Sequence, residues 1–355
     1  MKKSVSLVSI FLLFTLLLSG CAQNHTSSTA SDDTRIFIDS VGRSVEIPNE
    51  INSVAPSGPL AQIVLYTIAP NKLEGLSSDF SEEAKKYIDE KYWSLPKFGQ
   101  FYGKNASLNM EALVAASPDV IIDIGETKET EKEDMDNLQS QLGIPTIFIS
   151  ATLDTMEDAY TMLGDLLGDT DRAAKLSEYC KNTIKRADLI ANSIQENEKV
   201  RVYMAMGDTG LHTNAAGSIH ADVLDRVGAV NVADVDVVST GGGSEVSFEQ
   251  IMTWNPDVIL VDGQKLYHTI MNDSIWKELK AVQNKKVYCI PNVPYSFLNN
   301  PPSINRVIGI NWLGNLLYPD QYQLEIKDEI KTFYQLFYTV DLTDEQYDII
   351  VNNKG

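Results

Sequence analysis

The sequence predicts an α/β protein of two lobes, each built around a central, mainly parallel sheet, with one long α-helix joining them. Three observations predict this. A short segment occurs once in each half, running from Asn109 through Glu111 to Pro118-Asp119-Val-Ile-Ile and from Ser247 through Glu249 to Pro256-Asp257-Val-Ile-Leu. Between the copies, residues 171–196 carry apolar positions at helical spacing, among them Ala174, Leu176, Ile184, Ala187 and Ile190. The chain of 355 residues also exceeds what one core usually serves.

In each repeated segment, Pro stops the preceding amphipathic turns, because its ring clashes with an earlier carbonyl and pushes its neighbour to extended geometry. The apolar run that follows is too short for a helix and suits a central strand covered on both faces. The next apolar runs, 146–149 and 287–290, lie one crossover helix further on. A right-handed strand, helix, strand unit in each half makes the lobes Rossmann-like and places ligand sites outside the carboxyl ends of the strands. The same junctions could also occur twice in a one-domain α/β enzyme.

Along the chain, residues 1–21 have a basic start (Lys2, Lys3), an apolar stretch and then Leu18-Ser19-Gly20-Cys21. This reads as a secretion signal ending in a lipoprotein box, with Cys21 lipidated as the first mature residue. Residues 22–34 are rich in Ser, Thr, Asn and Asp without apolar pattern, and read as a flexible tether. Residues 36–47 alternate around Gly42 as an edge hairpin; residues 51–55 are a short buried strand ending at Pro56-Ser57-Gly58, with a helical pattern over 60–66. A charged helix is expected over 81–93, then an aromatic loop from Pro96 through Phe98, Phe101 and Tyr102. That loop either lines a ligand site or packs beneath itself. Helices are expected over 155–168 and 171–196, the second capped at Thr170-Asp171 and spanning nearly 40 Å if it holds roughly 25 residues. Residues 200–206 then open the second lobe. The organisation is a first lobe at 35–168, a linking helix at 169–198 and a second lobe at 199–355.

The formal net charge of −20 argues against nucleic-acid binding, which needs basic patches to meet phosphates, and suits solubility at a cell surface. Cys180 and Cys289 fall on a helix and a strand of different halves, so two buried thiols are expected rather than a disulfide. Without Cys-x-x-Cys and with four scattered His, a structural zinc site is unsupported. A surface hydrolase would need a Gly-x-Ser-x-Gly elbow or His-Glu-x-x-His, and neither is present. Gly241-Gly-Gly243 is too short a pattern for a phosphate loop and suits a sharp turn.

Taken in order, the box at Cys21, the opening from Asp39 to Pro48, the two Glu-to-Pro-Asp-Val segments, Gly217 to Ala233, and Pro301 to Arg306 through Trp312 resemble the lipoprotein solute-binding components of ABC importers for ferric siderophores, haem, cobalamin and related metal chelates. The resemblance implies the class III periplasmic-binding-protein fold, with lobes that move little. It implies a binding protein rather than an enzyme, without cofactor, whose ligand is a metal chelate: a ferric siderophore foremost, or else haem, a corrinoid or another metal complex. Its partners would be a two-fold symmetric ABC permease with its ATPase, and its place extracytoplasmic, lipid-anchored to the membrane. A Glu on each lobe that meets permease Arg residues maps onto Glu111 and Glu249. Either Glu could instead serve only its helix dipole.

The family's sites often combine Arg with Tyr or His, which makes Arg306 the first candidate; its alternative is a salt bridge at a helix start. Tyr295, in the loop before it, and His212 are candidates to reach a chelated metal. Tyr203 and Met206 lie at the end of the second lobe's first strand. Ser57, Glu126 and Tyr267 with His268 follow strands, and Tyr102 lies in the aromatic loop. His220 reads as a capping or packing residue. A sparse set of Arg favours a chelate of low charge over a highly anionic catecholate.

Overall fold

A computed structural model describes residues 33–102, 106–238 and 242–352. Cys21, the signal and nearly all of the tether lie outside them, as does Gly241. Strands β1 (Thr34–Ile38) and β2 (Ser44–Pro48) form the expected hairpin, with Ile38 opposite Ser44. The first sheet is β3 (Val54–Pro56), β4 (Val120–Gly125) and β5 (Thr146–Ser150), parallel, with β4 in the centre. Buried Arg43 ties the hairpin to this sheet, pairing with Asp39 at 3.0 Å and donating to the Thr146 carbonyl at 2.7 Å. Helices α1 (Pro59–Ile68), α2 (Met110–Ala116), α3 (Glu131–Leu142) and α4 (Met156–Leu167) complete this half.

The linking helix α5 (Thr170–Ala191) has 22 residues, about 33 Å at 1.5 Å each. Asp169, one residue before the expected cap, accepts from the Arg172 amide at 3.1 Å. The helix packs on α4 and later on two helices of the second half. There, β6 (Arg201–Ala205), the short antiparallel pair β7 (His212–Thr213) and β9 (Ser244–Glu245), β8 (Val230–Asn231), β10 (Val258–Val261) and β11 (Val287–Cys289) alternate with helices. The main sheet runs β11-β10-β6-β8, all parallel, again with the repeated strand inside. Its helices are α6 (Asp222–Arg226), α7 (Phe248–Trp254), α8 (Gln264–Asn272), α9 (Lys280–Gln283), α10 (Asn305–Leu317), α11 (Pro319–Tyr322), α12 (Ile326–Phe333) and α13 (Asp344–Asn352); α12 runs on into a π-helical turn, Tyr334–Tyr338.

The repeat performs the same structural task twice. After α2 and α7, Ser117 and Asn255 take left-handed conformations, φ 47° and 44°, which end each helix. The Asp after Pro then pins the neighbouring strand. Asp119 Oδ2 accepts from the amides of Asn52 and Ser53 at 2.7 and 2.9 Å, and Asp257 Oδ2 accepts from the Arg201 amide at 3.0 Å.

Strand residues alternate between two environments, as the period of 2 requires. Val120, Ile122, Val202, Met204, Val258 and Leu260 belong to one core cluster that spans both halves and includes α5, α10 and the C-terminal aromatics. Tyr203, Ala205, Ile259 and Val261 face a second cluster, and Ala55, Ile121 and Phe148 a third. Each sheet thus has a private outer core and a share in a common middle one. Cys180 and Cys289 are buried and form no disulfide.

One expected element differs. Residues 81–93 are two short 3-10 turns, Ala84–Tyr87 and Glu90–Tyr92, broken by extended Ile88. Ala84, Tyr87, Ile88 and Tyr92 are all buried, with Tyr87 edge-on to Tyr334 and Tyr92 edge-on to Tyr66. These four positions would share one face of a regular helix, so their burial does not by itself forbid one; the helix is broken at Ile88, whose extended backbone (φ −119°, ψ 130°) separates the two turns from which the tyrosines pack.

Candidate functional site

Arg306 is the second residue of α10, which follows the loop 291–304 beyond β11. Its side chain is fully buried, and Nη1 donates to the Ile219 carbonyl at 2.8 Å and to Asp222 Oδ2 at 3.1 Å. Nε and Nη2 are buried without a partner among the described residues. These two N–H groups form the parallel fork that fits a carboxylate or oxyanion side-on. Asp222 compensates the charge only in part. Burial raises its carboxyl above the usual range although Arg306 opposes the shift, and burial likewise lowers the guanidinium, which stays charged.

His220 lies in the turn before α6, its amide donating to Ser218 Oγ at 3.2 Å and its carbonyl accepting from Asn214 Nδ2 at 3.3 Å. Its Nδ1 is buried without a partner among the described residues. Burial lowers its pKa, a backbone hydrogen bond at Asn299 opposes this, and Arg306 lowers it further. The imidazole is therefore neutral at pH 7. Glu126, exposed just beyond β4, acts electrostatically on His220, Asp222 and Arg306 from the first half of the chain. Of the expected candidates, Arg306 is thus joined by Asp222 in direct contact and by His220 next to the Ile219 carbonyl it holds, while Glu126 reaches the group only through its charge.

A second group forms at the carboxyl ends of the first sheet. Ser57 Oγ and Tyr102 Oη both donate to Asp123, on β4. Behind them Glu131, the first residue of α3, is fully buried, with neither carboxyl oxygen hydrogen-bonded by a donor among the described residues and Lys128 Nζ at 3.8 Å. Burial, then the Asp123 charge, raises its pKa to about 7. Burial and Asp123 likewise keep the Tyr102 phenol protonated. Lys128 stands 5.2 Å above the Tyr102 ring.

Other expected residues fall elsewhere. Tyr203 is fully buried on the outer face of β6, tilted against Trp254 and Trp276 with its hydroxyl donating to the Gly210 carbonyl at 2.8 Å, so it serves the core. Met206 and His212 pair through their backbones at 2.8 and 3.3 Å, closing the turn after β6; His212 Nδ1 lacks a partner among the described residues. Tyr267 packs on the second cluster, edge-on to His268 at 5.6 Å. Tyr295 packs on the common core and hydrogen-bonds Gln62 of α1, so it joins the two halves. Glu111 and Glu249 are exposed in the first turns of α2 and α7, without an ion-pair partner among the described residues.

From the sequence, His220 has only a capping or packing role, and Asp222, Asp123 and Glu131 are not singled out. Asp123 alone had a signal, a carboxylate closing an apolar strand run.

A family model described as periplasmic binding protein matches residues 82–294. The chain is 27% identical to the molybdate-binding protein MolA of Haemophilus influenzae over 91% of its own length and 95% of MolA. It is 26% identical to the Fe(3+)-citrate-binding protein YfmC of Bacillus subtilis, over 81% and 89% of the two chains. A solved ABC transporter solute binding protein from Sulfurospirillum deleyianum superposes with a TM-score of 0.82 at 32% identity, covering 89% of this chain and 98% of that one. The chain belongs to the periplasmic binding protein family, as an extracytoplasmic substrate-binding protein of an ABC importer and not an enzyme.

Proposed function

We infer that the protein captures a metal complex with an anionic oxygen edge between its two halves and delivers it to a two-fold symmetric permease, from a membrane surface to which Cys21 tethers it by lipid. A ferric chelate of the siderophore or hydroxycarboxylate kind fits this reading. The observation that carries it is the buried, unpartnered Nε/Nη2 fork of Arg306 beside the unpartnered Nδ1 of His220. A charged donor left unsatisfied in the interior costs at least ~1–3 kcal/mol, which an anionic ligand repays. The two curated relatives are named for molybdate and Fe(3+)-citrate, both oxygen-rich metal species, and this supports the same class here.

Calorimetry against ferric citrate, a ferric hydroxamate, molybdate, haem and cobalamin tests the reading. At least one of the first three should bind, and Arg306→Gln should weaken it by about 100-fold or more, the worth of a bidentate charged contact in a desolvated site. Arg306→Lys should recover only part, since a point charge lacks the fork. Binding of haem or cobalamin alone, unaffected by Arg306→Gln, would overturn it.

A further inference from the structure

We propose that Tyr338, at the end of the π-helical turn Tyr334–Tyr338, is a positioning residue for the ligand anchor: through Asn305 it fixes the direction in which Arg306 presents its Nε/Nη2 fork. The inference rests on Arg306 as the residue that binds the ligand's anionic edge. Tyr338 Oη donates to Asn305 Oδ1 at 2.5 Å, and Asn305 Nδ2 donates to the Tyr295 carbonyl at 3.1 Å. Asn305 is the first residue of α10 and Arg306 the second, and both are fully buried. A side-chain amide has one accepting end and one donating end, so a phenol that donates to the oxygen turns the NH2 toward the loop carbonyl. Tyr338 thereby ties the start of α10 to the loop 291–304. Its own ring is held 6.2 Å from Tyr66 of α1, 6.1 Å from Phe333 and 5.7 Å from Tyr334, centroid to centroid.

Arg306 is thus fixed at both ends. At its tip, Nη1 is pinned by the Ile219 carbonyl and Asp222; at its base, Asn305 binds the backbone of α10 to the loop. If the base shifts while the tip stays pinned, the guanidinium plane must rotate about Nη1. Nε and Nη2, the two groups left for the ligand, then swing out of line. Two parallel hydrogen bonds demand a planar alignment that a single point contact does not. A phenol whose hydroxyl is spent on Asn305 therefore governs how well the fork binds.

A double-mutant cycle read by calorimetry tests this, with ferric citrate and sodium molybdate as probes and the one that the wild type binds more tightly carried through. Tyr338→Phe should weaken that probe by about tenfold in the wild-type background, but by less than about twofold in Arg306→Lys, whose point charge has no fork to align. Tyr334 donates to the Val293 carbonyl of the same loop from the same turn. Tyr334→Phe is therefore the structural control, and should cost less than about threefold. Asn305→Leu keeps the size of the side chain and removes its amide; it should reproduce Tyr338→Phe in both backgrounds, and it replaces that variant if the phenylalanine does not fold. Equal weakening in the two backgrounds, equal effects of Tyr338→Phe and Tyr334→Phe, or no weakening at all would overturn the positioning role and leave the anchor standing. Binding that survives Arg306→Gln, or no binding of either probe to the wild type, would remove the anchor and this inference with it.

Discussion

Glu131 occupies a position where two rules conflict. As the first residue of α3 its charge suits the positive end of the helix dipole, yet it is fully buried beside Asp123. Burial wins, and its pKa rises from 4.5 to about 7. A folded-state pKa above the unfolded one means that the fold favours the protonated form. The associated stability is whole below about pH 4.5 and is lost as pH rises through 7. Glu131→Gln keeps the neutral shape at every pH. Its melting temperature should therefore exceed that of the wild type at pH 8 by about 2–4 °C, the effect of ~1 kcal/mol in a large domain, and the gap should close near pH 4. Melts followed by circular dichroism at pH 4, 6 and 8 decide it; a gap independent of pH would show that Glu131 carries no such proton.

Helix α10 holds Arg306 in place through a contact one turn later. A Cβ at Gly309 would lie 1.8 Å from the Phe297 carbonyl oxygen, in backbone that cannot yield as a side chain tip would. Gly309→Ala must push α10 away from the loop 291–304, and Arg306 moves with it. Overpacking of this kind costs typically ~1–3 kcal/mol, so urea unfolding should show a lower midpoint, and ligand affinity should fall although residue 309 touches no ligand. Such long-range contacts separate what sequence discloses from what it hides. The strands β4 and β10 were legible because Pro118 and Pro256 stop a helix by local sterics and the runs after them are apolar on both faces. Arg306 was legible from its loop. That Tyr203, the middle residue of β6, faces Trp254 rather than the ligand depends on which face of the strand the chain covers, and an apolar run of this kind gives no local sign of that. His220 and Glu131 owe their character to burial by distant segments, and the turns in 81–93 owe theirs to Tyr66 and Tyr334.

The two halves are held as one body by more than α5. The common core runs from Val54 and Ile122 through α10 to Val202 and Leu260. On the outside, Arg226 of α6 donates to Asp188 of the linking helix at 2.7 Å and to Asp154 beyond β5. Opening the halves widely would tear this apolar core, so the spacing between surface features on the two is nearly fixed. Glu111 and Glu249 are such features, each exposed in the first turn of the helix that precedes a central strand. Two carboxylates at matched points on a rigid pair can register the protein on a two-fold symmetric partner bearing cations, whereas a hinged molecule could not keep them in step. Each contributes only about 0.3–1 kcal/mol to its own helix, so reversing both charges leaves the fold intact. Glu111→Lys with Glu249→Lys should leave the affinity for the best-bound metal complex unchanged while cutting its uptake by cells by at least about tenfold, each single reversal falling between, since a like-charge contact at a docking surface costs more than a lost one. Uptake equal to that of the wild type in the double variant would remove these residues from the docking surface.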